Sequence, residues 1–316
     1  GTSDSHGGLE AFDPRTLPIT GQRAVCGAGS TGSLSDTIQV ISNMASLGNS
    51  IDFGNLAGTK AHDDVYGAVG SATRALWGGT NVPAVANPID VIEIMHLGNA
   101  ADFGDLTQAQ FSLSSGGNTT RGIFAGGSNP SGLTNVMSYV TIATTGDASD
   151  FGDLTDARSH MGGCSGTTIS AFAGGNSPGL VDIIDYVTTA STGDAADFGN
   201  LASATAGVAH SVSSTVRGVY GGGYTPSGID VIQYITFLST GNTTDFGDLT
   251  QARRRLAGAS SVSNRGLFEG GYISAASNII DYVTIASTGD AADFGDLFEA
   301  NYSLGGTSNG HGGLQN

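Results

Sequence analysis

Residues 281–297 read Asp-Tyr-Val-Thr-Ile-Ala-Ser-Thr-Gly-Asp-Ala-Ala-Asp-Phe-Gly-Asp-Leu, and the Asp-Phe-Gly phrase within this stretch occurs six times in the chain. The six copies start at Asp52, Asp102, Asp150, Asp197, Asp245 and Asp293. Neighbouring copies are therefore 50, 48, 47, 48 and 48 residues apart. A period this regular indicates one repeated supersecondary unit, so no single copy is expected to be a unique catalytic centre.

Each repeat carries four strand signals. In one copy, a run of small residues at 160–168 is followed by 169–175, which ends in a glycine doublet. Residues 183–188 are β-branched and aromatic, as strands favour, and 195–201 contain the Asp-Phe-Gly phrase. A Gly-Asn or Gly-Asp pair precedes every phrase and is typical of a tight hairpin between the third and fourth strands.

These units predict an all-β fold, a six-bladed β-propeller of four-stranded blades. The first strand of each unit consists of small residues, for example at 256–260, which suits strands crowded around a central axis. We expect Asp and Gly of each phrase to shape the turn and its Phe to pack between blades, which stabilises the core by roughly 1.5–3 kcal/mol per ring. These structural phenylalanines are Phe53, Phe103, Phe151, Phe198, Phe246 and Phe294.

The two ends of the repeat region predict how the ring closes. The chain enters at a second-strand signal, residues 23–27, and leaves with a first-strand signal within residues 301–308. We expect the C-terminal strand to complete the N-terminal blade, because closure removes free sheet edges. The propeller is assigned to residues 22–316. Residues 1–21 lie outside the repeat and are expected to be an N-terminal extension, either a loosely packed tail or a docking arm.

Composition limits the classes of partner. The chain has 316 residues, 51 of them Gly, a formal net charge of −17 and one lysine, Lys60. Nucleic acid requires a basic surface and anionic membranes attract one, so neither is an expected partner. No apolar run is long enough to span a bilayer and no signal peptide is recognisable. Cys26 and Cys164 are expected to be buried free thiols.

The repeat resembles a known family. A glycine doublet, a strand with a Tyr and a Thr-x-Ala-Arg stretch at 155–158 and 250–253 resemble the kelch repeat, with Phe in place of the usual kelch Trp. The longer phrase at 281–297 looks like repeats in tail-fibre-like virion proteins of tailed phages, especially marine ones. The resemblance implies a structural or adhesive protein on the virion surface or outside the cell.

The carboxylates around each phrase raise the question of calcium. Oxygen ligands at close spacing could hold Ca²⁺. The candidate sets are Asp147, Asp150 and Asp153, and Asp290, Asp293 and Asp296. Their first and third positions exchange Asp for Asn between copies, which turn geometry tolerates better than a metal site does. We therefore expect structural turn caps and no cofactor, with calcium as the alternative.

Variation among the repeats points to a binding face. The loops between second and third strands differ from copy to copy, whereas the Gly-Asn and Gly-Asp turns hardly vary, so the variable loops are the expected binding surface. Tyr224 and Tyr272 lie in these loops and could stack on sugar rings. The only basic cluster is Arg253, Arg254 and Arg255. We expect it to form a solvated rim, with an acidic partner or a sialylated or sulfated glycan as the alternative role.

The predicted function is non-enzymatic, because no catalytic motif or metal-ligand spacing is present. We expect a propeller module of a phage tail fibre or a capsid-attached accessory protein. It would contact other virion proteins through residues 1–21 and a host-surface glycan or protein through its rim loops. The alternatives are a secreted or cell-surface carbohydrate-binding propeller and, third, a propeller enzyme.

Overall fold

A computed structural model describes residues 22–57, 67–209 and 212–314. It contains six four-stranded antiparallel sheets and thereby confirms the predicted six-bladed propeller. In the described part of the chain the only helical element is a short 3-10 helix, Gly312–Leu314, and no helix there has the length and apolarity needed to cross a membrane. The predicted arm, residues 1–21, lies outside the described residues.

The strands follow the predicted order in each blade. Blade 1 contains β1 (Ala24–Gly27), β2 (Thr37–Ile41) and β3 (Ile51–Asn55). Blade 2 contains β4 (Ala68–Gly70), β5 (Arg74–Thr80), β6 (Ala86–Glu93) and β7 (Ala101–Asp105). Blade 3 contains β8 (Ser114–Gly117), β9 (Arg121–Ala125), β12 (Val136–Thr141) and β13 (Ser149–Asp153), with β10 (Ser128–Asn129) and β11 (Gly132–Leu133) as a small hairpin in its loop.

The second half of the ring repeats this pattern. Blade 4 contains β14 (Gly162–Ser165), β15 (Ile169–Ala173), β18 (Ile183–Thr188) and β19 (Ala196–Asn200), with the loop hairpin β16 (Asn176–Ser177) and β17 (Gly179–Leu180). Blade 5 contains β20 (Val212–Ser213), β21 (Arg217–Gly221), β22 (Ile229–Thr236) and β23 (Thr244–Arg253). Blade 6 contains β24 (Ala257–Ser260), β25 (Arg265–Glu269), β26 (Ser277–Thr284) and β27 (Ala292–Asn301), and β28 (Gly305–Ser308) follows.

The ring closes as the sequence predicts. The last strand, β28, pairs antiparallel with β1, from Ala24 opposite Ser308 to Gly27 opposite Gly305. It becomes the innermost strand of blade 1, whose order is β28-β1-β2-β3. The two ends of the repeat region are thus joined by main-chain hydrogen bonds within one sheet, which leaves no free inner edge at the closure.

The innermost strands contact one another around the axis, which explains their small residues. Every residue of β8, β14, β24 and β28 is buried. At Gly163 in β14, an added Cβ would clash with the carbonyl oxygen of Ser115 in the neighbouring blade. Backbones this close leave room only for Gly, Ala, Ser and similar side chains.

The core consists of six clusters, one at each interface between blades. Each cluster combines the Asp-Phe-Gly phenylalanine of one blade with strand residues of the next, for example Phe103 with Phe124 and Val140. All six phenylalanines are buried in these clusters. The pairing register shifts opposite each of them, so Phe occupies a β-bulge in the fourth strand.

A hydrogen-bonded clasp joins each fourth strand to the next blade. Between blades 4 and 5, the amides of Gly241 and Thr243 donate to the carbonyls of Phe198 and Asn200 at 2.7 and 2.9 Å. In return the amide of Asn200 donates to Oδ1 of Asn242 at 3.1 Å. The same side-chain bond joins Asn55 to Asn99, Asp105 to Asp147, Asp153 to Asp194, Asp248 to Asp290, and Asp296 to Asn49.

The glycine of each phrase is required by this clasp, which corrects its expected role in the turn. Gly199 lies on the fourth strand at φ +145°, and an added Cβ would clash with the carbonyl of Gly241 in the next blade. The turn of blade 5 therefore packs directly on the backbone of blade 4. The turn glycine recurs for a different reason: nothing lies within 4 Å of a Cβ added at Gly241, but its φ of +157° is one that other residues rarely adopt.

We predict that Gly199→Ala lowers the free energy of unfolding by about 3 kcal/mol, because it combines a left-handed φ with a backbone clash. Urea unfolding measures the loss. The control is Gly179→Ala in the β16–β17 hairpin, where nothing lies within 4 Å of the added carbon. This control should change stability by less than about 0.5 kcal/mol. Equal losses in the two variants would contradict the clasp.

The closing interface, between blades 6 and 1, carries a buried acid. At interfaces 1/2, 2/3 and 5/6, a glycine of one second strand faces an aromatic ring of the next blade, as Gly221 faces Phe268. At the closing interface the small and the large residue are exchanged. Blade 6 has the larger Glu269 at the glycine position, and blade 1 has the small Cys26 at the aromatic position. Burial raises the pKa of Glu269 to about 7, with the facing Cys26 thiol opposing the shift.

This acid makes stability depend on pH. The folded-state pKa of about 7 lies above the ordinary value of 4.5, so the folded protein retains the proton between these values. The contribution of Glu269 to stability therefore falls as pH rises from 4.5 to 7. We predict that Glu269→Gln raises the free energy of unfolding at pH 8, by up to about 3 kcal/mol, with little effect at pH 4.

Denaturant unfolding at the two pH values measures this difference. The exposed Asp156→Asn variant is the control, because it removes one carboxylate from the surface and should show the same small effect at both pH values. If Glu269→Gln changed the free energy of unfolding by the same amount at pH 4 and at pH 8, this result would contradict a buried carboxyl group that retains its proton.

The chain after β28 turns into the axis and closes the channel at one end. His311 is buried there, and its Nε2 lies 3.0 Å from the carbonyl oxygen of Gly70. The amide of Gly313 donates to its Nδ1 at 3.2 Å, and the amide of Gly312 donates to Oγ of Ser213 at 3.1 Å. The axial cavity that remains has a volume of about 10 Å³. That space corresponds to roughly one water molecule.

Candidate ligand site on the variable face

Antiparallel blades divide the connections between two faces of the ring. The loops between second and third strands and the connections between blades lie on one face, which we call the variable face. The Gly-Asn and Gly-Asp turns lie on the other, the turn face, together with the C-terminal segment that closes the channel. All six Gly-Asn and Gly-Asp turns are engaged in the clasp, so their uniformity follows from packing.

A partial ring of four main-chain hydrogen bonds follows the axis at the variable face and links five of the six blades. The amides of His160, Gly207, Arg255 and Ser303 donate to the carbonyls of Ser112, His160, Gly207 and Arg255, respectively, at 2.8–3.1 Å. All five residues have positive φ values between 55° and 65°. This conformation is strained for the four that are not glycine, and such strain persists only where the surrounding structure enforces it. The ring fixes the positions of the His160 and Arg255 side chains.

A pocket of about 320 Å³ lies beside this ring, across blades 4, 5 and 6. Its lining consists of His160, Asn176, Ala206, Gly207, Tyr224, Arg254 and Arg255. Among the described residues that line it there is no Asp or Glu, although the chain as a whole is strongly acidic. His160 is fixed further by Oγ of Ser159 at 2.9 Å from its Nδ1.

Arg254 lies between the two tyrosines that the sequence analysis singled out. Its guanidinium carbon is 4.8 Å from the ring centre of Tyr224 and 4.9 Å from that of Tyr272. Tyr302 meets Tyr272 edge to face at 5.2 Å. Main-chain bonds between Arg254 and Tyr272 hold the two residues together, at 2.8 and 3.2 Å. Within the described chain, the guanidinium has no hydrogen-bond or ion-pair partner.

The arginine cluster is not a uniform solvated rim, and Arg253 corrects that expectation. Its side chain is fully buried, with Nη2 2.6 Å from Oδ2 of Asp281 and Nη1 donating to two carbonyls at 2.8 Å. Thr250 donates to the other oxygen of Asp281 at 2.6 Å. Arg158 forms the matching pair with Asp185 at 2.7 Å. The Thr-x-Ala-Arg stretch is thus a buried clamp between blades, in which the carboxylate compensates the charge of the buried guanidinium.

The structure brings four of the five predicted binding residues to one region. Tyr224, Arg254 and Arg255 line the pocket, and Tyr272 completes the stack on Arg254. His160 and Asn176 also line the pocket and were not among the predicted binding residues. The repeat does contain a signal for His160, because His160 follows Phe151 by nine residues, as Arg255 follows Phe246.

A second pocket of about 400 Å³ lies on the turn face, around the third-to-fourth-strand turn of blade 2. Its arginine, Arg74, is already paired with Glu93 at 2.7 Å. Two further donors of Arg74 contact the carbonyls of Ile142 and Ala143 in the next blade. The variable-face pocket is the better candidate, because the donors of Arg254 are not used in this way.

The predicted turn-cap role of the first carboxylate in each set is supported by its contacts. Asp147 and Asp290 accept main-chain hydrogen bonds from Asp105 and Asp248 in the preceding blades, both at 3.1 Å. Asn fills the same role elsewhere, because both residue types carry Oδ1. Within residues 22–57, 67–209 and 212–314, no group of three or more His, Cys, Asp and Glu side chains is placed to hold a metal ion.

No protein-family model matches the chain, and no curated protein matches it. The six-bladed propeller is therefore a result of the structure. The resemblance to kelch repeats and to phage tail-fibre-like proteins stays a prediction from the sequence.

We predict that Asp147→Asn changes the free energy of unfolding by less than about 0.5 kcal/mol, because the amide retains the acceptor. Asp147→Ala leaves the Asp105 amide without its partner and should cost about 1 kcal/mol. Chemical unfolding with calcium and with a chelator measures both. A calcium-dependent melting temperature that Asp147→Asn abolishes would instead favour the calcium alternative.

Proposed function

We propose that the protein is a non-enzymatic binding module on a virus particle, which attaches to a host-surface glycan through the variable face of its propeller. The particle would be a tailed phage, with the propeller in a tail fibre or in a capsid-attached accessory protein. Residues 1–21 would connect it to neighbouring virion proteins.

The observation that carries the proposal is the unequal use of the two faces. The turn face is occupied by inter-blade hydrogen bonds and by the C-terminal segment. The variable face carries the loops that differ among repeats and the pocket lined by Tyr224 and Arg254. Surface loops held by a rigid scaffold are where binding residues concentrate.

The axis offers little space for a substrate. Small-molecule sites are concave pockets of roughly 300–1,000 Å³. The axial cavity here is about 10 Å³. The variable-face pocket, at about 320 Å³, falls within that range, and Tyr224 in its lining supports a carbohydrate ligand.

The virion setting has a different source of support, namely the resemblance of residues 281–297 to phage virion repeats. A secreted or cell-surface carbohydrate-binding propeller would use the same pocket. Detection of the protein in purified virions by mass spectrometry supports the first setting. Its presence only in particle-free culture medium supports the second.

We predict that the wild-type protein binds at least one glycan on an array of neutral and acidic glycans. The Tyr224→Ala, Tyr272→Ala double variant should bind that glycan at least about tenfold more weakly, a loss of about 1.4 kcal/mol. The variant removes both rings of the stack and frees the Arg254 side chain from its fixed position.

Leu238→Ala is the control for this experiment, because Leu238 is 85% exposed on the turn face and lies far from the pocket. It should bind as wild type does. A double variant that keeps full affinity, with an unchanged melting temperature, would show that the ligand does not use this part of the variable face. Absence of any glycan binding by the wild-type protein would remove the carbohydrate proposal.

A further inference from the structure

We infer that the variable-face pocket recognises an acidic sugar, with the guanidinium of Arg254 binding the carboxylate or sulfate group of the ligand. This inference rests on the proposed function, since it assigns a ligand chemistry to the face that the proposal makes the binding surface. It also gives the two tyrosines a more specific role than direct stacking on a sugar.

Two tyrosine rings hold the Arg254 side chain in place. Tyr224 and Tyr272 each lie within 5 Å of its guanidinium carbon, so one face of each ring is already covered by the cation. Cation–π contacts of this kind stabilise the stacked arrangement. They also restrict a long side chain whose rotamer entropy a ligand would otherwise have to overcome. The tyrosines are therefore positioning residues for Arg254.

The N–H donors of the Arg254 guanidinium are available to a ligand. The cation–π contacts with the two rings leave the N–H groups of the guanidinium as donors, and the Nε–H among them is buried without a partner. In the described chain those N–H groups have no acceptor, in contrast to Arg253 beside it, whose Nη1 and Nη2 donate to main-chain carbonyls and to Asp281. A fork of N–H donors fits a planar carboxylate, or two oxygens of a sulfate, in a bidentate pair.

The lining of the pocket also favours an anionic ligand. The described residues that line it are Arg, His, Asn, Tyr, Gly and Ala, without a carboxylate. Asn176 adds an amide that can donate to or accept from sugar hydroxyls. The net charge of −17 disfavours non-specific binding of anions elsewhere on the protein. An anion that does bind should therefore be confined to this pocket.

Turn-face arginines show that stacking alone does not make such a site. Arg121 lies 4.6 Å from the ring centre of Tyr139 and also has no side-chain hydrogen bond in the described chain. It is stacked on one ring only and borders none of the pockets described above. It provides a matched control, an arginine of similar environment on the opposite face.

The test is calorimetric titration with three probes: the methyl glycoside of N-acetylneuraminic acid, galactose 6-sulfate and galactose. We expect the wild-type protein to bind at least one acidic probe at least about tenfold more tightly than galactose. The carboxylate and sulfate probes together determine which anion the pocket accepts. Chemical-shift changes in labelled protein should map to Tyr224, Arg254 and Asn176.

Two variants make the site assignment specific. Arg254→Gln should weaken binding of the acidic probe at least about tenfold, because the amide lacks the charge and the fork. Asn176→Asp places a negative charge in the pocket without altering Arg254 or its stack and should have a similar effect. Arg121→Gln should bind as wild type does. Melting temperatures of all variants separate loss of binding from loss of folding.

The outcomes distinguish this inference from the proposed function. If the protein binds neutral and acidic glycans equally and Arg254→Gln has no effect, the acidic-sugar inference is overturned while glycan binding by the variable face stands. If the acidic probes bind but Arg121→Gln alone reduces binding, the site is on the turn face and both proposals fail. If none of the glycans or probes binds to the folded wild-type protein, both are likewise overturned.

Discussion

The clasp between neighbouring blades is the interaction on which the rest of the structure depends. Two main-chain bonds and one side-chain bond link every fourth strand to the next Gly-Asn or Gly-Asp turn, as in the bonds of Gly241 and Asn242 to blade 4. Six such clasps complete a circle, because Asn49 of blade 1 accepts from Asp296 of blade 6. They fix the distance between blades, and the buried phenylalanines fill the space that this distance defines. The individual bonds are ordinary in strength, roughly 0.5–1.5 kcal/mol each, so their effect lies in number and repetition.

Repetition also explains why the two faces of the ring differ. A turn that must fit the strand of its neighbour cannot vary freely, so all six turns keep Gly followed by Asn or Asp, both of which supply the Oδ1 acceptor. The loops on the opposite face are bonded near their start to the connections between blades, as Tyr272 is to Arg254, and beyond that point they differ in length and composition. The pocket forms there because Tyr224 of blade 5, Tyr272 of blade 6 and the arginine between them come from different repeats. A single blade could not form it.

The sequence allowed the fold to be predicted because its signals are local and repeated. Six phrases at a constant period determine the number of blades, and the first-strand signal at 301–308 predicts the closure with β1. The positions of individual arginines could not be predicted in the same way. Arg253 and Arg254 are neighbours in sequence, yet one is buried against Asp281 and the other lies between two tyrosines. The two environments differ because side chains that follow one another at the end of a strand point to opposite sides. They also depend on Asp281 and Tyr224, which lie about 30 positions away in the sequence. The role of the phrase glycine was likewise hidden, because its contact is with the next blade.

Hydrogen exchange of the backbone amides, measured with and without the acidic glycan, tests the central claim most directly. If the turn face is architecture and the variable face binds ligand, the clasp amides of Gly241, Thr243 and their equivalents should exchange as slowly as the core strands in both states. The ligand should then slow exchange only around residues 206–207, 224 and 254–255. Clasp amides that exchange at the rate of exposed loops, or ligand protection on the turn face, would contradict the account.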